Sequence, residues 1–173
     1  MGKREIPADE RYIHFITFSV FRRRRLLNLD VPKRIVLGQL NIQLRQFKAQ
    51  CAGFVIMPNH LHALIWLPKA SDAEVFVGNW KRLSSFACRE WYRENAPNYF
   101  REFGEGEHFW NERYYDFPIL TERKLLQKLD YIHHNPTKAD LVKRTIDYRW
   151  SSARWYAQRR SVGVPIHWIE CQQ

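Results

Sequence analysis

Short runs of β-branched and aromatic residues give way to apolar positions recurring every three or four residues, and this change of period separates strands from helices. YIHFITFSV (Tyr12 to Val20) reads as a first strand that runs into a basic loop, RRRR, at Arg22 to Arg25. From Asp30 to Ala49, Val36, Leu40, Leu44 and Phe47 fall on one helical face, with Asp30 as the N-cap and Pro32 in the first turn, where a missing N–H costs nothing. CAGFVIM and HLHALIWLP are two apolar strands separated by Pro58 and Asn59, which predicts an antiparallel hairpin. Ser71 followed by Glu74 reads as a capping box opening a second helix, in which Phe76, Trp80, Leu83, Ala87 and Trp91 share a face up to about Asn95, before Pro97. The polar stretch Asn98 to Gly106 reads as a loop, and a short strand is expected near HFW or DFPIL. A third helix should run from Thr121 to about Asn135, burying Leu125, Leu129 and Ile132 and stopping before Pro136.

This order predicts an α+β fold: a ferredoxin-like antiparallel sheet, the split β-α-β arrangement, with helices packed on it and an added C-terminal helical segment. The 173 residues suit one domain, with 145–173 as a C-terminal extension. The longest apolar run, ALIWL, is far short of the ~18 residues a membrane span needs. MGKREIPADERY carries no apolar run after its charges, so the expectation is a cytoplasmic chain with no membrane partner. The three widely spaced cysteines form no C-x-x-C pair and read as reduced thiols.

Charge changes the picture. Lys and Arg number 28 against 18 Asp and Glu, a net charge of +10, and 15% of residues are aromatic, a combination that suits a nucleic acid. Single strands call for a charged track with stacking platforms. Arg22, Arg23, Arg24 and Arg25, with Lys81, Arg82 and Arg89 on the second helix, are candidate phosphate contacts. RWSSARWYAQRR interleaves Arg154 and its neighbours with Trp150, Trp155 and Tyr156; base stacking and an aromatic helix docked on the core are equal readings of it.

Candidate chemistry begins at MPNHLH. Alternate strand side chains share a face, so His60 and His62 present two imidazoles side by side, a start for a divalent metal site or a pair of half-buried structural histidines. In QKLDYIHHNP, Tyr131 is turned away from the leucine row into a polar stripe with Gln127, His134 and Asn135. His108, His133 and His134 are further candidates for a third ligand, whereas His14 and His167 read as structural.

The segments MPNHLHALIWLP, FWNERYYD, LDYIHHNPTKADLV and DYRWSSARWYA, in this order, resemble the single-tyrosine transposases of the HUH endonuclease class, in particular the branch of REP-associated tyrosine transposases, over roughly Tyr12 to Tyr156. The resemblance implies a single transposase domain with metal-dependent nuclease activity on single-stranded or hairpin DNA, acting as a monomer or homodimer with Mg²⁺ or Mn²⁺. It implies that His60 and His62 hold the metal, that Asn135 is a further ligand, and that Tyr131 is the nucleophile forming a 5′-phosphotyrosine. Phe117 stands where many relatives place a histidine, and Asp116 is a candidate supporting residue. Tyr114 and Tyr115 are rival nucleophiles. Two other readings stand beside this one: a non-catalytic nucleic-acid-binding protein recognising palindromic repeats, and a hydrolase that uses water.

Overall fold

The computed structural model describes residues 12–103 and 106–171. Residues 1–11, on which the cytoplasmic expectation leans, and residues 104–105 of the expected loop lie outside the described residues. The elements follow as β1 (Ile13–Ser19), α1 (Asp30–Gln46), β2 (Gln50–Ile56), β3 (His60–Trp66), α2 (Ala73–Asn95), α3 (Pro97–Phe103), β4 (Tyr115–Ile119), α4 (Glu122–Lys138) and α5 (Ala153–Gln158). The strands form one antiparallel sheet in the order β2-β3-β1-β4, the split β-α-β topology expected from the sequence.

Local chemistry departs from expectation at four places. Asp30 opens α1 as its first residue, Leu29 occupies the cap, and the Asp30 carboxylate instead accepts from the Trp150 indole N–H at 3.0 Å. The Ser71–Glu74 box does not cap α2: a 3-10 turn over Ala70–Asp72 leads into the helix, with no capping bond from Asp72. Pro97 to Phe103 is helical because Phe100, buried, stacks on Tyr92 with ring centroids 5.2 Å apart, giving a mostly polar segment an anchor. Finally, α4 continues to Lys138 with Pro136 inside it. A proline there forgoes one helical hydrogen bond, and its ring is buried with Leu125, Leu129 and Ile132 of the same helix.

Pairing fixes what lies on each side of the sheet. Ser19 opposes His60 and Thr17 opposes His62, so these four share a face with Phe15, Leu64 and, across β4, Tyr115 and Phe117. The reverse face carries Phe18, Ile16, Leu61 and Ala63 and is covered by α1 and α2, with Phe18 edge-on to Trp80 at 4.9 Å. The Trp80 indole N–H in turn bonds the Val36 carbonyl, tying the two helices together. The histidine face is covered by α4. A Cβ at Gly53 of β2 would come within 2.6 Å of Leu129 and 3.2 Å of Ile132, so a glycine lets α4 sit directly on the strand.

The C-terminal segment docks on β2. Ile56 N–H bonds the Trp150 carbonyl, Ser152 N–H the Phe54 carbonyl and His167 N–H the Cys51 carbonyl. Trp150, just before α5, is buried and the Tyr156 hydroxyl within α5 bonds the Ala52 carbonyl, so for these two rings docking on the core is what is observed. No helix among the described residues is long and apolar enough to cross a membrane.

Candidate metal and nucleophile site

The hairpin turn and strand register orient both imidazoles. Asn59, next to His60, presents its amide oxygen 2.7 Å from His60 Nδ1. An amide oxygen only accepts, so the proton sits on Nδ1 and Nε2 carries the lone pair. On His62, Nδ1 lies 2.6 Å from the Thr17 hydroxyl, while Nε2 is buried without a partner among the described residues. A buried nitrogen with no partner is costly unless something else binds there. The two rings are perpendicular, with centroids 5.0 Å apart, and His62 also stacks on Phe15.

Burial and surrounding positive charge keep these rings neutral. Burial, with Arg23 adding to it, lowers His60 to about 4. Burial lowers His62 to about 3, with His60, Lys128 and Arg23 pushing the same way. Neutral imidazole is the form that binds metal. Among the described residues, no cluster of three or more His, Cys, Asp or Glu side chains forms a metal site.

Tyr131 on α4 closes the site. Its ring lies 5.4 Å from His62 and 6.2 Å from Phe15, centroid to centroid, and it is 40% exposed, open to a polymeric partner. Leu129 and Ile132 point α4 into the sheet, which leaves the intervening Tyr131 over its histidine-bearing end. Asn135, one turn on, donates from Nδ2 to the Tyr131 carbonyl at 3.1 Å, and no hydrogen bond joins it to either histidine.

The remaining candidates fall elsewhere. His133 bonds the Ser152 hydroxyl at 2.8 Å beside Tyr156, and His134 bonds within its own helix to Asp130. His108 packs edge-on against Phe21. Asp116 lies on the reverse face of the sheet, 2.9 Å from His14 Nδ1, so it supports that buried histidine and not the pair on β3. Tyr115 shares the histidine face but stands two strands from His62, a separation of ~10 Å.

Several basic candidates hold the 107–112 segment in place. Arg24 bonds the carbonyls of Phe21 and His108, Arg89 that of Glu107, and Lys81 those of Asn111 and Glu112. Arg154 bonds the carbonyls of Ile146 and Asp147, Arg22 pairs with Glu107, and Arg25 reaches Asn28. Arg23 and Arg82 are exposed and make no side-chain hydrogen bond or ion pair among the described residues. Arg22 and Arg23 both adopt φ of 56°, a strained conformation for residues with a side chain.

Sequence reasoning did not find Thr17, Phe15 or Lys128. The first two meet His62 only through β1–β3 pairing, whereas Lys128 stands three residues before Tyr131 and was within reach of a helical-spacing argument.

Comparison with known proteins places the chain in a family. The family model described as "Transposase IS200 like" matches residues 8–135. A Haemophilus influenzae protein named as a REP-associated tyrosine transposase is 30% identical over 102 residues, covering 56% of this chain and 54% of that protein, so the chain matches about half the length of this curated relative. A solved structure of a REP-associated tyrosine transposase bound to a REP hairpin aligns with a TM-score of 0.71 at 21% identity, over 98% of this chain and 92% of that one. A transposase structure from Deinococcus radiodurans aligns with a TM-score of 0.52 at 17% identity, over 77% of this chain and 97% of that one. The two structural likenesses establish a shared fold, and with the match to most of its length the chain belongs to the IS200-like transposase family.

Proposed function

We propose that this chain is a DNA-nicking and DNA-joining enzyme acting on single-stranded hairpin or repeat DNA, with Tyr131 as nucleophile. The observation that carries the reading is the placement of Tyr131 beside His62, whose Nε2 is buried and unpartnered. A solvent-accessible phenol over two neutral, pre-oriented imidazoles is hard to explain by packing alone. The donor set fits a divalent cation: His60 and His62 would hold it through Nε2, with the Asn135 amide oxygen as a further donor. When bound, Mg²⁺ or Mn²⁺ supplies positive charge to a non-bridging phosphate oxygen; Mg²⁺ prefers oxygen donors, and two imidazoles favour Mn²⁺.

In this reading the Tyr131 oxygen attacks phosphorus in line, a Tyr–O–P bond forms, and the bond from phosphorus to the 3′-oxygen breaks. The phenol proton leaves to solvent and the departing 3′-oxygen takes one up. The 5′-phosphotyrosine keeps the ester bond energy, so a second strand's 3′-hydroxyl can reverse the step without a nucleotide cofactor. Asn59 and Thr17 fix the imidazoles, and Arg23 and Arg82 are free to meet the DNA backbone.

The test is incubation of the chain with end-labelled hairpin oligonucleotides and Mg²⁺ or Mn²⁺. A protein–DNA band that survives SDS and requires Tyr131, His60 and His62 is expected. Binding without such a band, unchanged by Tyr131→Phe, would favour the binding-protein reading, and multiple-turnover cleavage with no DNA left on the protein would favour a water-using hydrolase.

A further inference from the structure

Lys128 sits in a cage of aromatic rings at the proposed site. Its ammonium lies 4.4 Å from the centroid of Phe15, 5.6 Å from Phe117 and 5.6 Å from Tyr131. Two of these rings come from adjacent strands of the histidine face and the third belongs to the proposed nucleophile. Ring faces attract a cation but accept none of its N–H groups well, and no hydrogen bond or ion pair of Lys128 is present among the described residues. The charged groups acting on it reinforce the point. Lys124, one turn earlier on α4, repels it, and Lys128 itself helps keep His62 neutral. Asp130, the nearest acid in sequence, is engaged with His134 on an exposed side of the helix. A half-buried cation whose donors meet no protein acceptor among the described residues, among cationic and neutral neighbours, fits a site whose anion arrives with the substrate.

We infer that Lys128 is a phosphate-binding residue of this site, held by Phe15, Phe117 and Tyr131 so that its ammonium meets the phosphodiester attacked by Tyr131. The inference rests on the nuclease reading and adds a residue to it. The cage does two things. It fixes a flexible four-carbon side chain before DNA arrives, lowering the entropy lost on binding. It also leaves the N–H donors free for non-bridging oxygens, on which negative charge builds as the phosphoryl group transfers. Lys138, 5.8 Å from the centroid of the Tyr131 ring, is a weaker companion because it makes no other ring contact among the described residues.

The experiment compares wild type with Lys128→Met, which keeps the stem and removes the charge, and Lys128→Arg, which keeps the charge. Single-turnover adduct formation is measured at saturating hairpin DNA, and melting temperature checks the fold. The expected result is a loss of adduct rate of roughly 100-fold for Lys128→Met, at the lower end of the range for removing one oxyanion-stabilising donor, and recovery of most of it by Lys128→Arg. A second measurement uses a hairpin with a neutral methylphosphonate at the cleavage position. There wild type and Lys128→Met should bind alike, whereas on the natural phosphodiester the variant should bind more weakly. Equal adduct rates, equal losses in both variants, or a binding penalty that persists on the neutral linkage would overturn the inference. A wild-type chain that forms no adduct with any hairpin overturns the nuclease reading and this inference together.

Discussion

At the scale of single residues, the site depends on side chains beyond the two histidines and the tyrosine. Thr17 and Asn59 bond the Nδ1 atoms of His62 and His60, and second partners of this kind typically change metal affinity 10–100-fold. Thr17→Val should therefore weaken Mn²⁺ binding by roughly that factor, and Thr17→Ser should not, as titration calorimetry would show. The same two histidines make the metal-free chain acid-sensitive. Their ordinary value of 6.5 applies in the unfolded chain, and the folded values are about 4 and about 3. The unfolded chain thus binds more protons in this interval, so their stabilising contribution is complete above pH 6.5 and is lost as pH falls towards 4 and below. Urea midpoints in EDTA should fall between pH 7 and pH 5, with a shallower fall for His62→Asn.

At the scale of elements, the separation of Tyr131 from the histidine pair depends on how closely α4 lies on β2. Gly53→Ala introduces a methyl group 2.6 Å from Leu129, an overpacking that should destabilise the chain by about 1–3 kcal/mol. It should reduce adduct formation more than hairpin binding, because it displaces the helix that carries Tyr131; denaturant melts and band-shift assays on one preparation would separate the two effects. Much of this layer was legible in the sequence. The period-2 pattern around His60 and His62 placed both on one face, and the leucine row of α4 showed Tyr131 turned out of it. What was not legible depended on contacts between distant segments: the helicity of Pro97 to Phe103 needed Tyr92, the passage of α4 through Pro136 needed a core to receive the ring, and the diversion of Asp30 from capping needed Trp150. That Asp116 supports His14 and not the pair on β3 was not legible either, because strand phase in YYDFP is set by pairing with β1.

At the scale of the molecule, a net charge of +10 makes binding to any polyanion salt-dependent, but the cations are not equivalent. Arg82 is exposed and has no partner among the described residues, whereas Arg89 fastens the Glu107 carbonyl. Arg82→Ala should weaken single-strand binding across sequences and flatten the log K against log salt slope by ~0.7, the value for one phosphate contact. Arg89→Ala should act mainly through a lowered melting temperature. Comparing salt titrations with thermal melts for the pair would test that division, and equal salt slopes for Arg82→Ala and wild type would remove Arg82 from the DNA track.

The docking of the chain's end on β2 carries a consequence for self-association. Trp150, Ser152 and His167 occupy backbone groups that would otherwise form an unpaired strand border, and they lie beyond the residues matched by the family model. Cutting the protein before Trp150 would uncover N–H and C=O groups of Phe54, Ile56 and Cys51 along a hydrophobic margin, a template for another copy to join. The tail thus acts as a selvedge that keeps one sheet from being stitched to the next.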